Sequence, residues 1–220
     1  MTQNNKKYTL TSFALCPYVQ RSIITLKHKK IDFEIKYIEL SNKPEWFLKL
    51  SPLGKVPILE LENTVLFESA VINEFLDEDT QGSMLSENLI EKAEQRAWIE
   101  FSSSLNMESY HIVRAKDEKT YNQKIESITN KLKLVEKQIK GKYFSGDKFS
   151  LVDSSYAPFF MRLFTIEKMK NDIDWTQIPK VFAWAETLLA LDEVKTSVKE
   201  TFKEDYIGYI KKENSYIYNN

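Results

Sequence analysis

Cys16 is the only cysteine in the chain, and it stands directly before Pro17. Proline suits the first turn of a helix, because its missing N–H and fixed φ are no handicap there. Cys16 therefore reads as the residue at a helix start, behind a predicted strand. Backbone amides without intrahelical acceptors and the positive end of the helix dipole gather at such a place and favour an anion. A thiol with an ordinary pKa of about 8.5 is expected to ionise nearer neutrality there, which makes Cys16 a candidate nucleophile. A lone cysteine at an arbitrary position is more often a small buried hydrophobe. The strand, Cys-Pro, helix context is what reverses that reading.

Two other places have the right residue types for binding. Val56-Pro57 lies at the start of a predicted strand, where proline is tolerated only at an edge or at the first position. The peptide bond there is cis or trans as far as the sequence goes; a cis bond would turn the Val56 backbone toward the helix start, where it could pair with an extended peptide. Glu68-Ser69 opens a helix immediately after another strand. Helix-start amides with a hydroxyl suit a carboxylate, and the Glu68 side chain suits an amine. By itself the pair is more often an ordinary helix start.

The elements that must position these residues follow from the hydrophobic period. Lys7 to Phe13 reads as a strand. Val19, Ile23 and Leu26 then give a helical stripe running to about Lys29, and Phe33, Ile35 and Tyr37 alternate as a strand with one buried face. Pro44 to Leu50 is a short helix, and Val56 to Leu61 and Thr64 to Phe67 are strands joined by a tight turn at Glu62-Asn63. Glu68 to Glu78 returns to helical spacing. The order is β-α-β-α-β-β-α over residues 1–80, a small mixed sheet covered by helices. A polar joint at Asp77 to Ser86 leads to a second part, 87–220, in which every strong pattern is helical: Ile125, Ile128, Leu132, Val135 and Ile139, then Val181, Trp184, Leu188 and Leu191. Within it, Ser150-Leu151-Val152-Asp153 has the spacing of a capping box, a structural feature with no call on chemistry.

Composition narrows the function classes. With 220 residues, the chain is ample for a buried core. Lys+Arg 31 against Asp+Glu 32 gives a formal charge of -1, which points to neither nucleic acid nor an acidic membrane surface as a partner. One cysteine and two histidines, His28 and His111, offer no metal cluster and no internal dithiol. Neither a phosphate-cradling nor a dinucleotide glycine motif is present, so nucleotide chemistry is unsupported. No apolar run approaches the roughly 18 to 20 residues that span a bilayer, and Met1 to Lys7 lacks the apolar core of a signal peptide. A cytoplasmic protein without stable membrane insertion is expected.

Four blocks carry a resemblance: Leu15-Cys16-Pro17-Tyr18-Val19-Gln20-Arg21, Asn42-Lys43-Pro44-Glu45-Trp46-Phe47, Pro52-Leu53-Gly54-Lys55-Val56-Pro57-Ile58-Leu59-Glu60 and Phe67-Glu68-Ser69-Ala70. In this order and spacing they resemble an omega-class glutathione transferase over about residues 8–79. Phe149 to Asp153 and Ile178 to Trp184 are similar to more generic motifs of that superfamily. The resemblance implies a thioredoxin-like N-terminal domain followed by an all-helical C-terminal domain. It implies glutathione as co-substrate, no metal, Cys16 as the catalytic thiolate, and Lys43 against the glycine carboxylate. It further implies that the Val56 backbone, held by a cis Pro57, pairs with the cysteinyl part of the tripeptide, while Glu68 and Ser69 take the γ-glutamyl end. Lys55 departs from the apolar residue expected at its position, and Tyr18 would flank the thiol.

The reaction implied is monothiol transfer. A Cys16-glutathione mixed disulfide forms from a glutathionylated substrate or a small oxidised acceptor such as dehydroascorbate, and a second glutathione resolves it. The competing reading is a non-catalytic regulatory or binding protein on the same scaffold, of the stringent-starvation or chloride-intracellular-channel type. A homodimer is expected from the resemblance alone. The acceptor site is expected between the two domains, with Trp98, Tyr110 and Trp175 as possible wall residues. The tyrosine-rich tail from Tyr206 to Tyr218 either lines that site or packs on the helices.

Overall fold

The structure is a computed structural model and describes residues 7–218. The chain divides into two compact units between Ser83 and Met84. In the first, β1 (Tyr8–Ser12), α1 (Pro17–His28), β2 (Phe33–Tyr37), α2 (Glu45–Leu50), β3 (Ile58–Leu61), β4 (Thr64–Phe67) and α3 (Ser69–Glu78) succeed one another in the expected order. The sheet runs β2-β1-β3-β4. β1 and β2 are parallel because a helix carries the chain across between them, and β3 and β4 are antiparallel because Glu62-Asn63 turns it straight back. β1 is buried along its whole length, as a central strand should be. β2 is an edge strand, and Tyr37 is exposed, so the buried face anticipated through Tyr37 ends at Ile35.

Side-chain alternation along the strands sorts the helices onto two faces. Leu10 and Leu59 pair across the sheet and pack with Val19, Ile23 and Leu26 of α1 and Ile72 and Leu76 of α3. The neighbouring residue Ile58 points the other way and packs with Phe47 of α2. Burying each such side chain contributes on the order of 1.5–3 kcal/mol. The end of α3 is held by a buried ion pair, Lys29 Nζ to Asp77 Oδ1 at 2.9 Å, with Lys29 also donating to the Gln81 carbonyl at 3.1 Å. Asp77, read from sequence both as part of the helical run to Glu78 and as the start of a polar joint, lies inside α3 and is 4% exposed.

The second unit contains α4 (Leu89–Ile112), α5 (Glu118–Glu136), α6 (Leu151–Thr165), α7 (Glu167–Asn171), α8 (Pro179–Ala190), α9 (Asp192–Lys195) and α10 (Phe202–Lys212). Its core is aromatic: Phe144, Tyr156, Phe160 and Trp184 stand with ring centroids 5.0 to 6.3 Å apart. The tail packs on this unit, with Tyr206, Ile210 and Ile217 buried and the Tyr216 amide donating to the Ala115 carbonyl at 2.8 Å. Among the described residues no helix is long and apolar enough to cross a membrane.

The capping box at Ser150 forms, and it does more than cap α6. Asp153 Oδ2 accepts from the Ser150 amide at 2.8 Å and its hydroxyl at 2.5 Å, while Oδ1 accepts from the Phe144 amide at 2.9 Å and Trp184 Nε1 at 2.7 Å. One carboxylate therefore ties a helix start, a loop and α8 together inside the aromatic core. Burial pushes the Asp153 carboxyl upward, against the donors that favour its charged form. Replacing Asp153 with Ala strands the Phe144 amide and the Trp184 indole as well as the cap. We expect a loss of about 3 kcal/mol or more by denaturant titration, where an exposed cap costs about 1 kcal/mol.

Candidate active site

The sheet register gathers the chemistry-bearing residues at one end of the first unit. Thr11 near the end of β1 pairs with Ile58 at the start of β3, and Ile58 pairs with Phe67 at the end of β4. The chain leaves β1 toward Cys16, enters β3 from Val56-Pro57, and leaves β4 into Glu68-Ser69. These three segments share an edge because β3 is antiparallel to both neighbours. The parallel strand β2 ends there too, with the Ile38 amide donating to the Ser12 carbonyl at 2.8 Å, and its loop leads to Lys43.

Cys16 is the N-cap of α1, with extended backbone angles and Pro17 in the first helical turn, as the Cys-Pro spacing anticipates. A turn closed by the Cys16 amide on the Phe13 carbonyl at 2.9 Å delivers it from the strand, and its own carbonyl takes the Gln20 amide at 3.2 Å. The thiol is half-buried. It makes no capping hydrogen bond, although the N-cap is a position where Ser, Thr, Asp or Asn is normally preferred for that purpose. Cys16 and Val56 pack against the same core cluster. The Tyr18 ring, expected beside the thiol, lies under the buried Arg21 guanidinium, 5.1 Å from its centroid.

The segment before β3 is held by Ser51, which the sequence reading passed over. Ser51 is buried, and its hydroxyl both donates to the Lys55 carbonyl at 2.9 Å and accepts from the Lys55 amide at 3.0 Å. This staple closes a loop that Gly54 crosses at a φ of +59°, a conformation that glycine adopts without penalty. The loop ends at a cis Val56–Pro57 bond. Lys43 reaches the same loop: its Nζ lies 3.8 Å from where a Cβ on Gly54 would stand. Lys43 is half-buried and makes no hydrogen bond or ion pair among the described residues. Neither does the Lys55 ammonium, which is exposed beside Val56.

Glu68 is the N-cap of α3 with φ 69°, a region in which a residue with a side chain costs roughly 1–3 kcal/mol. Its carboxylate makes no capping bond and is exposed. Local conformation thus gives no reason for glutamate here; Gly or Asn would suit the backbone and Asp or Ser the cap. Ser69 follows as the buried first residue of the helix. No group of three His, Cys, Asp or Glu side chains able to hold a metal occurs among the described residues.

Residues 15–79 match the family described as glutathione S-transferase, N-terminal domain, and residues 118–187 the one described as glutathione S-transferase, C-terminal domain. Glutathione S-transferase omega-1 of Sus scrofa is 33% identical over 183 residues, which are 81% of this chain and 75% of that protein. Glutathione S-transferase DHAR3, chloroplastic, of Arabidopsis thaliana is 30% identical over 88% of this chain and 72% of its own length. Among solved structures, glutathione transferase Omega 3C from Trametes versicolor superposes with a TM-score of 0.79 at 25% identity, over 88% of this chain and 89% of that one. A thiol at a helix start, a thioredoxin-like sheet and an all-helical second unit are thus found together with this kinship: the chain belongs to the glutathione S-transferases, as an enzyme of omega-like type.

Proposed function

We propose that this enzyme is a glutathione-dependent thiol transferase in which Cys16 forms a mixed disulfide with glutathione. The observation that carries the reading is the convergence of Cys16, Val56, Pro57, Glu68 and Ser69 on one sheet end, with Lys43 over the adjoining loop. Their charges complement the tripeptide. The lysine ammonium answers the glycine carboxylate, the Val56 backbone answers the cysteinyl amide, and Glu68 with the α3 start answers the γ-glutamyl ammonium and carboxylate. Lys55 stands ready as a second cation at the glycine end. The omega-1 and DHAR relatives support this class of chemistry over simple conjugation.

In the proposed reaction the Cys16 thiolate attacks the glutathione sulfur of a glutathionylated substrate R–S–SG. The new Sγ–S bond forms as the old S–S bond breaks, and RS⁻ leaves to take a proton. A second glutathione thiolate attacks the Cys16-bound glutathione sulfur, releasing oxidised glutathione and regenerating the Cys16 thiolate. A glutathionylated substrate consumes one free glutathione, because it brings the other half of the oxidised glutathione itself; a small acceptor such as dehydroascorbate consumes two, which supply both electrons and leave joined as oxidised glutathione. With one cysteine in the chain no internal thiol can resolve the intermediate. The role of α1 is to stabilise the thiolate as nucleophile and as leaving group, because the dipole end and its amides favour the anion in both steps. We place the reaction in the cytoplasm and the enzyme in a homodimer, as the family resemblance suggests.

Four measurements test the proposal. Incubation with oxidised glutathione should add one glutathione to the intact mass of the wild type and none to Cys16→Ala. The Cys16 thiolate absorbance should rise well below the ordinary thiol range; an unreactive thiol with an ordinary titration would favour the binding-protein alternative. Lys43→Met should weaken glutathione about tenfold or more, the worth of a charge-assisted bond, with kcat changed much less than KM. Ser51→Ala removes both anchors of Lys55, so KM for glutathione should rise several-fold while the sulfur chemistry at saturation persists. An equal fall in kcat would instead assign Ser51 a role in the transition state.

A further inference from the structure

A cavity of about 100 Å³ lies wholly within the second unit, and thiol transfer makes no use of it. Glu91, Glu94, Gln95 and Trp98 of α4 line one wall, and Lys140 and Ser145 of the loop that follows α5 line the other. A water's share of liquid volume is about 30 Å³, so the space is that of roughly three waters. It suits a small polar ligand and is too small for a tripeptide.

Both walls are held from behind. Gln95 is 7% exposed; its Nε2 donates to Ser145 Oγ at 2.8 Å, and its Oε1 accepts from the Ser86 amide at 2.7 Å. In the loop the Tyr143 amide donates to the Gly146 carbonyl at 2.7 Å, and the Phe144 amide ends on Asp153 Oδ1 at 2.9 Å. Gly141 comes so close to Gly146 that a Cβ would stand 3.0 Å from its backbone. The Trp98 and Phe144 rings, 5.8 Å apart, join the helix to the loop. Buried and satisfied groups thus fix the cavity, and a ligand meets it already formed.

The charges of the lining stand on opposite walls, the two glutamates on the helix and Lys140 on the loop. The Glu94 carboxylate, the Lys140 ammonium and the Trp98 indole N–H make no hydrogen bond or ion pair among the described residues. Glu91 Oε2 accepts from the Ser86 hydroxyl at 2.7 Å, which leaves its second oxygen open. Ser145 Oγ, having accepted from Gln95, keeps its own O–H to donate.

We propose that this cavity binds a small zwitterion of the amino-acid class. The ligand's ammonium lies at the α4 wall, against Glu94 and the Trp98 ring. Its carboxylate lies at the loop wall, against the Lys140 ammonium and the Ser145 hydroxyl. A cation alone leaves Lys140 unanswered and is repelled by it, and an anion alone meets the two glutamates. The cavity therefore selects the zwitterion over either of its halves. This site stands independently of Cys16 and of the thiol-transfer reading.

The test follows the nuclear magnetic resonance signal of the Trp98 indole N–H in the isotope-labelled full chain, identified among the four tryptophans by Trp98→Phe. Glycine is the probe, with acetate and methylammonium, its two charged halves, as controls. Glycine should move the Trp98 signal saturably, and each half should bind about tenfold more weakly or worse. Glu94→Gln and Lys140→Gln, both at exposed positions, should each weaken glycine roughly tenfold, the worth of a charge-assisted bond. A Trp98 signal that glycine leaves in place overturns the proposal, as does an acetate or methylammonium affinity equal to that of glycine. Unchanged glycine affinity in either variant overturns it too. Should a variant fail to fold, as judged by circular dichroism, the wild-type comparison of glycine with its two halves decides alone.

Discussion

The register that sets Thr11 opposite Ile58 and Ile58 opposite Phe67 is the constraint on which the active-site end of the molecule depends. A slip by one residue would turn every side chain of β3 to the opposite face. Leu59 would then leave the cluster it shares with α1 and α3, and Ile58 would leave Phe47. Because both faces of the sheet are covered, such a slip costs burial on each side, and the native register is strongly specified. The same pairing fixes the levels at which the chain leaves β1, enters β3 and leaves β4. Cys16, Val56-Pro57 and Glu68-Ser69 are therefore neighbours by consequence of core packing, without any direct bond among them having to form.

What the core does not determine is left to short-range polar devices, one at each critical joint. Ser51 staples the loop before β3 with two bonds to Lys55. Lys29 closes the end of α3 through Asp77 and the carbonyl beyond it. In the helical unit Asp153 joins the start of α6, the Phe144 loop and α8. Each is a buried or nearly buried polar group whose partners are in place, and such groups restrict geometry more than they add net stability. They act at joints, where apolar periodicity carries no information about angle or reach.

This division explains how much could be read from the sequence. The order of elements, the parallel and antiparallel pairings and the helical second half follow from period and turn chemistry. Phe33 to Tyr37 and Thr64 to Phe67 are strands at the anticipated residues. Cys16 was legible because Pro17 marks the helix start independently of any tertiary contact. Ser51, Gly54 and Trp184 were not, because their roles depend on partners that no local pattern names. Ser51 looks like any loop serine until Lys55 folds back onto it, and Trp184 lies in an apolar stripe that does not betray the indole bond to Asp153. Asp77 fell both within the helical run to Glu78 and at the start of the polar joint; the structure bears out the helix, and its burial was not legible because its partner Lys29 is 48 positions away.

The two ends of the proposed glutathione site differ in how the fold treats their charges. Lys43 and Glu68 lack partners among the described residues, and Glu68 is held at φ 69° without the return of a capping bond. Elsewhere in the same unit Lys29 is paired at burial and Lys36 is paired with Glu60 at the surface. A half-buried ammonium without an anion has lost part of its hydration and gained nothing for it, so an arriving carboxylate recovers more there than at an exposed lysine. A strained glutamate whose carboxylate takes no part in the helix cap is in the same position toward an ammonium. On the proposed reading, these two charges are where the ends of a zwitterionic tripeptide would gain most by pairing. The thiol at the α1 start follows the same logic, since the helix end favours an anion there before any substrate arrives.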